Sequence, residues 1–215
     1  MLDREPANVD VAIVLSNVYL CAGHEEKAEP LLRRCAEVDP LLPLTHVMLA
    51  YLELVQGRYE AALPHYERAF DLEQPPIPMS VWGRAMALGG LGRVAEVSSL
   101  VDALPAGAES DPHARMALAL DHALCGRHDA VLALMTPEFL ATAASQGYLA
   151  REIAGYHALA GRITEALDWL ERAVRGGFYN YPYLSIHRNY DALRSHPRYG
   201  ALMQVAKSRC AAFSA

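Results

Sequence analysis

Histidines and carboxylates are where catalysis or metal binding would show first. The nine histidines include no pair at i, i+3 or i, i+4. That spacing puts two imidazoles on one helical face around a zinc ion, so no site of the H-E-x-x-H kind exists. His122 and His157 each lie four residues before a glycine (Gly126, Gly161), the place Tyr19 holds before Gly23. A recurring place of that sort reads as packing between helices rather than as ligand or catalyst. Gly89-Gly90-Leu91-Gly92 is rich in glycine but has no strand before it, so it is a weak phosphate cradle. Glu152 with Asp168 or Glu165 would make a carboxylate pair, but single charges on helices read as solvated. There is no G-x-S-x-G, no Walker loop and no dinucleotide fingerprint. The sequence therefore predicts no catalytic residue, no metal and no cofactor. It does not read as an enzyme.

What the residues do show is repetition. A glycine followed by a polar residue and an apolar run recurs five times, at Gly23, Gly57, Gly92, Gly126 and Gly161, spaced 34, 35, 34 and 35 residues apart. The last four read Gly-Arg. Seven residues before each stands a small residue: Ser16, Ala50, Ala85, Ala119, Ala154. Five after come Ala28, Ala62, Val97, Val131, Ala166, and nine after come Leu32, Tyr66, Val101, Met135, Leu170. Small residues at fixed points on two successive helices let them approach closely, and large ones a turn away fill the gaps. The glycine ends the first helix and turns the chain. Pro40 and Pro75 close the first two units.

These residues resemble the tetratricopeptide repeat. Leu15, Ser16, Tyr19, Gly23, Ala28, Leu32 and Pro40 stand at the signature places of the first unit. The second (Leu49, Ala50, Gly57, Tyr59, Ala62, Tyr66, Ala69) and fifth (Ile153, Ala154, Gly161, Ala166, Leu170, Ala173) match well. The third and fourth are degenerate: Arg84 replaces an apolar residue, and Pro105 and Pro137 shorten the second helices. The resemblance implies an all-α, right-handed α-solenoid of about five helix pairs. The expected array is 1–180, with units about 9–42, 43–76, 78–111, 112–146 and 147–180, turns at the five glycines and ten helices over 9–180. Residues 181–215 are expected to cap it, with a helix near 199–213 that offers Leu202, Met203, Val205 and Ala206. The stretch Asn189 to Tyr199 resembles the segment that follows the last repeat in bacterial signalling cyclases and transcriptional regulators. Leu2 to Asn8 resembles the close of a preceding repeat, so the chain reads as cut from a longer protein, or else as having a short lead-in.

Composition sets the remaining bounds. Hydrophobic residues make up 53% of the 215 and charged residues 20%, too apolar for a disordered chain. The net charge of −6 argues against nucleic acid as a partner, which would need a basic stripe. Residues 1–110 carry 8 Lys/Arg against 16 Asp/Glu and the remainder 11 against 9, an asymmetry that reads as a solvated surface of varying sign. The longest apolar stretch, 11–23, is too short to span a bilayer and lacks a basic lead, so no membrane association is expected. Cys21, Cys35, Cys125 and Cys210 lie far apart, which fits a reducing compartment and a cytoplasmic location.

In an array of this family the first helix of each unit lines the concave surface. Positions ten, six and three before each glycine share one helical face. They give Ile13, Asn17 and Leu20; Val47, Tyr51 and Leu54; Trp82, Met86 and Gly89; Met116, Leu120 and Ala123; Arg151, Gly155 and Ala158. Met79 extends the third set. The candidate protein-binding groove is Ile13, Asn17, Val47, Tyr51, Leu54, Met79, Trp82, Met86, Met116, Leu120 and Arg151. Tyr51, Trp82 and Met86 are expected to be partly accessible as its apolar anchor. The opposing reading is that the degenerate third repeat closes the superhelix over itself and packs this face. The chaperone-tail clamp of some family members is disfavoured: Asn17 fits it, but Ile13, Met48, Met79 and Gly83 stand where its Lys, Asn and Arg would be. The partner implied is a protein or peptide bound by an adaptor or scaffold. The alternative is a regulatory or oligomerisation module of a larger bacterial signalling enzyme or transcription regulator, with a possible homodimer.

Overall fold

The computed structural model describes residues 8–213. The lead-in 2–7 lies outside the described residues; Asn8 is within them and caps the first helix by accepting from Val11 N–H. Helices α1 (Val9–Ala22) and α2 (Glu25–Val38) pair, then α3 (Pro43–Val55) with α4 (Tyr59–Leu72), and α5 (Pro78–Gly90) with α6 (Val94–Asp102). Next come α7 (Pro112–Leu124), α8 (His128–Leu134) and α9 (Pro137–Ala143), then the pair α10 (Gly147–Leu159) and α11 (Ile163–Arg175). The chain ends in α12 (Tyr181–Ile186), a 3-10 segment (Arg188–Leu193) and α13 (Pro197–Ala212). The fold is an all-helical solenoid of helix pairs, with no strand among the described residues.

The periodic residues do what their spacing requires. The five repeat glycines all have positive φ, from 70 to 85°, a backbone state that side-chain-bearing residues adopt at a cost. Ser16, Ala50, Ala85, Ala119 and Ala154 are each fully buried, as are Ala28, Ala62, Val97 and Ala166 on the second helices. The Gly-Arg pairs have a local explanation. Arg58 bonds Glu53, Arg93 bonds Glu96, Arg127 bonds Asp121 and Arg162 bonds Glu165, each tying the turn to its own unit.

Two expectations change. Eleven helices, not ten, cover 9–180, because the second helix of the fourth unit is broken. Proline lacks the N–H that a continuing helix needs, so α8 stops at Leu134 and Pro137 starts α9 one turn on, with Thr136 accepting from Phe139 N–H. The last helix is Pro197–Ala212. It buries Tyr199, Leu202, Met203 and Ala206 but leaves Val205 48% exposed, since that position turns away from the array.

The array closes on itself. Tyr179 N–H donates to Cys21 O at 3.0 Å. The side-chain amide of Asn180, wholly buried, donates to Leu20 O (2.7 Å) and Glu25 Oε1 (2.6 Å) while its oxygen accepts from Tyr183 N–H. His24 Nε2 meets Cys210 O at 2.9 Å, and Phe213 packs on Tyr19 and His24. The first unit is thus bonded to the segment after the fifth. Together they enclose what the inner helices face.

One titration follows from this packing. His187 caps the 3-10 segment, its Nδ1 accepting from Asn189 N–H, and lies between the Tyr183 and Tyr190 rings. Burial pushes its pKa down to about 4, opposed by nearby Glu152. An unfolded histidine titrates near 6.5. The unfolded chain therefore takes the proton first as pH falls. Stability is full above about pH 6.5 and is lost toward pH 4, by about 2 kcal/mol once partial exposure of the ring is discounted. His187→Asn retains a capping acceptor and removes the titration, so its melting temperature should fall less between pH 7 and pH 4.5 than the parent's. Equal falls would contradict this.

Candidate functional site

The first helices converge on a cavity of about 340 Å³. Ile13, Val14 and Asn17 of α1 form one wall, and Leu44, Val47, Met48 and Tyr51 of α3 the next. Met79, Trp82, Gly83 and Met86 of α5 follow, with Tyr66 behind them. His113 of α7 and Tyr148 and Arg151 of α10 complete the ring. Val14, 65% exposed, and the exposed Asn17 stand at its mouth. Gly83 is required where it is: a Cβ there would collide with the Tyr66 hydroxyl and ring.

The aromatic wall is knitted together. Trp82 Nε1–H donates to Tyr156 Oη at 3.2 Å, and that hydroxyl donates to Met116 O. The Trp82, His113 and Tyr148 rings pack at 5.5 to 6.2 Å. Burial lowers the His113 pKa, opposed by Asp111, so at neutral pH the ring carries no charge.

Opposite lies a buried charge. Arg151 is 1% exposed. Its guanidinium carbon sits 4.4 Å from the Phe178 and Tyr183 rings and 5.5 Å from that of Tyr51. Nη2 pairs with Glu152 Oε1 at 3.3 Å, and Glu152 accepts from Tyr183 Oη at 2.9 Å. Arg151 Nε and Nη1 have no hydrogen-bond partner, and neither does Tyr51 Oη, all three atoms being buried. Burial raises the Tyr51 pKa, so its hydroxyl stays protonated.

Of the eleven predicted groove residues, eight line this cavity: Ile13, Asn17, Val47, Tyr51, Met79, Trp82, Met86 and Arg151. Leu54 and Met116 are instead buried in the core, and Leu120 packs over Gly89 beside a separate 40 Å³ pocket. The cavity lies toward the start of the first helices, so a residue three before the glycine sits too far along and meets the neighbouring unit. Trp82 and Met86, expected to be partly accessible, are 4% and 9% exposed; Tyr148 and Tyr156 of α10 pack against Trp82. Trp82 is fixed in the wall by Tyr156. Glu152, expected to be solvated, is 1% exposed and paired with Arg151. His157 is buried and bonds no ligand-like group. No cluster of three or more His, Cys, Asp or Glu able to hold a metal occurs among the described residues.

The missed lining residues of the first helices obey a simple register. Leu44, His113 and Tyr148 stand thirteen before their glycines, as Met79 does. Val14, Met48 and Gly83 stand nine before. The face is thus thirteen, ten, nine and six before each glycine, one turn earlier than the spacing chosen from sequence.

The tetratricopeptide-repeat family model matches residues 43–68 and 112–135, and this family supports a protein–protein interaction role. Among solved structures, one from the functional characterization of Pseudomonas aeruginosa pilF is similar over 96% of this chain and 93% of that one, at 18% identity and a TM-score of 0.52. YrrB, described as a TPR protein with an unusual peptide-binding site, is similar over 96% and 95%, at 15% identity and a TM-score of 0.45. At 18% identity the likeness to the first is one of fold alone. No curated protein matches the chain.

Proposed function

We propose that the chain, two segments of which match the tetratricopeptide-repeat model, is a protein-interaction adaptor whose concave cavity receives a large apolar side chain from a partner peptide. The observation that carries this is the cavity itself: about 340 Å³, ringed by Met48, Tyr51, Met79 and Met86, with an open side at Val14. An α-helix is about 10–12 Å across, so the space suits an inserted side chain of a peptide or helix rather than a whole helix. Aromatic and methionine walls are where partners anchor. The reading is one of binding, since the cavity is walled mostly by methionine, aliphatic and aromatic side chains. In this reading residues 1–180 are the interacting array and 181–215 its cap.

Trp82→Ala is a poor test, since Trp82 holds the wall. Val47→Phe narrows the cavity from a buried lining position, and Val14→Glu places a charge at its exposed mouth. Peptides selected from a random library on the parent protein should carry an aromatic or long aliphatic anchor. Each variant should weaken them by about thirtyfold, the value of one anchor near 2 kcal/mol, while the helical circular dichroism is unchanged. Peptides that bind parent and both variants alike would place the binding surface elsewhere.

A further inference from the structure

The cavity is not uniformly apolar, and its polar atoms are unspent. Arg151 Nε and Nη1 and Tyr51 Oη are three hydrogen-bonding groups buried without partners, on two side chains that both line the same space. Buried polar groups are almost always bonded, and leaving one unpaired is costly. A guanidinium is always charged and only donates; a protonated tyrosine hydroxyl also donates. All three therefore call for an acceptor. Glu152 already offsets the charge of Arg151 through Nη2, so what remains for a ligand is hydrogen-bond donors rather than spare charge, and a dianion such as phosphate, with two uncompensated charges, is disfavoured. The remaining walls, Ile13, Val47, Met48, Met79, Trp82 and Met86, call for an apolar body. The volume lies at the small end of the range for small-molecule sites, roughly 300–1,000 Å³.

We propose that the cavity binds a small monocarboxylic acid with a compact apolar tail, its carboxylate meeting Arg151 and the Tyr51 hydroxyl and its tail lying among the methionines and Trp82. A bare hydrocarbon would leave the three donors unpaired. A peptide carboxyl terminus would have to bring its trailing chain down to Arg151, which is 1% exposed. The inference goes beyond peptide binding and does not depend on it. An acid seated there occupies the space a partner side chain would take, so the two ligands compete.

The test uses the full chain, first without any peptide and then with one peptide in free-acid and amidated forms. Octanoate and phenylbutyrate are titrated calorimetrically against octanol and phenylbutanol, which share the tails without the charge. The acids should bind at least about tenfold more tightly than the alcohols, the value of hydrogen bonds to a charged group. At saturating acid the melting temperature should rise by about 5 °C. Tyr51→Phe keeps the ring and removes one donor, so it should weaken the acids by about tenfold and leave the alcohols unchanged, whatever becomes of variants at Arg151. Equal binding of acids and alcohols, or an unchanged acid affinity in Tyr51→Phe, would overturn the proposal. So would failure of both acids to bind, or preference for a peptide with a free carboxyl terminus over the same peptide amidated while the acids stay inert. Loss of the acid arm leaves the library-peptide result untouched, so the two readings fail separately.

Discussion

Deleting residues 181–215 abolishes cooperative folding. The deleted segment contributes Tyr183, Leu184, Tyr190, Leu193, Tyr199, Leu202, Met203 and Ala206 to the core. Burying a large apolar side chain contributes about 1.5–3 kcal/mol, so their loss is of the same order as the roughly 5–15 kcal/mol by which a domain is stable. Polar losses add to it. Arg198 leaves Asp168 and Glu171, and Tyr190 Oη leaves Arg151 O. Leu167 and Leu170, buried beneath, become open to solvent, which favours association. The truncated chain should aggregate or show no sigmoidal melting by circular dichroism. A monodisperse truncation with the parent's melting temperature would contradict the assignment of this segment as a cap.

Arg151→Met should lower the unfolding free energy by about 3–5 kcal/mol in urea titration. Removing one partner of a buried pair leaves the other charge uncompensated, and Glu152 would keep only the Tyr183 hydroxyl. The cation also lies against three aromatic rings, contacts worth more when desolvated. Arg151→Met combined with Glu152→Gln should recover much of the loss, since it removes both charges together. A single-variant loss below about 1 kcal/mol would mean that the pair is solvated.

The helix pairs and turns were legible because each is set by residues close in sequence. A glycine every 34 or 35 residues and small residues at fixed offsets are local rules, and they hold even where Arg84 breaks the apolar pattern. Pro137 was legible as a disruption but not as a restart, which depends on Thr136 capping the new helix. The cavity was half legible. Helical periodicity gave the inner face, yet its placement along the helix axis depends on where neighbouring units touch, so Leu54, Met116 and Leu120 were misplaced while Leu44, His113 and Tyr148 were passed over. The burial of Arg151 and Glu152 was not legible at all. It depends on contacts from Phe178 and Tyr183 and on bonds such as Asn180 to Leu20, between residues 160 positions apart. Such closure comes from small rotations summed over every unit, which no single motif encodes.

If partners bind in the concave cavity, methionine methyl resonances report on it directly. Met48, Met79 and Met86 line the cavity, whereas Met116 and Met135 are core residues outside its wall and Met203 belongs to α13. Carbon-13 methyl spectra are recorded as a peptide selected on the parent protein is added. The account predicts shifts at Met48, Met79 and Met86 that saturate together, with Met203 unmoved. Saturable binding that leaves those three unchanged, or that moves Met203 instead, would contradict it.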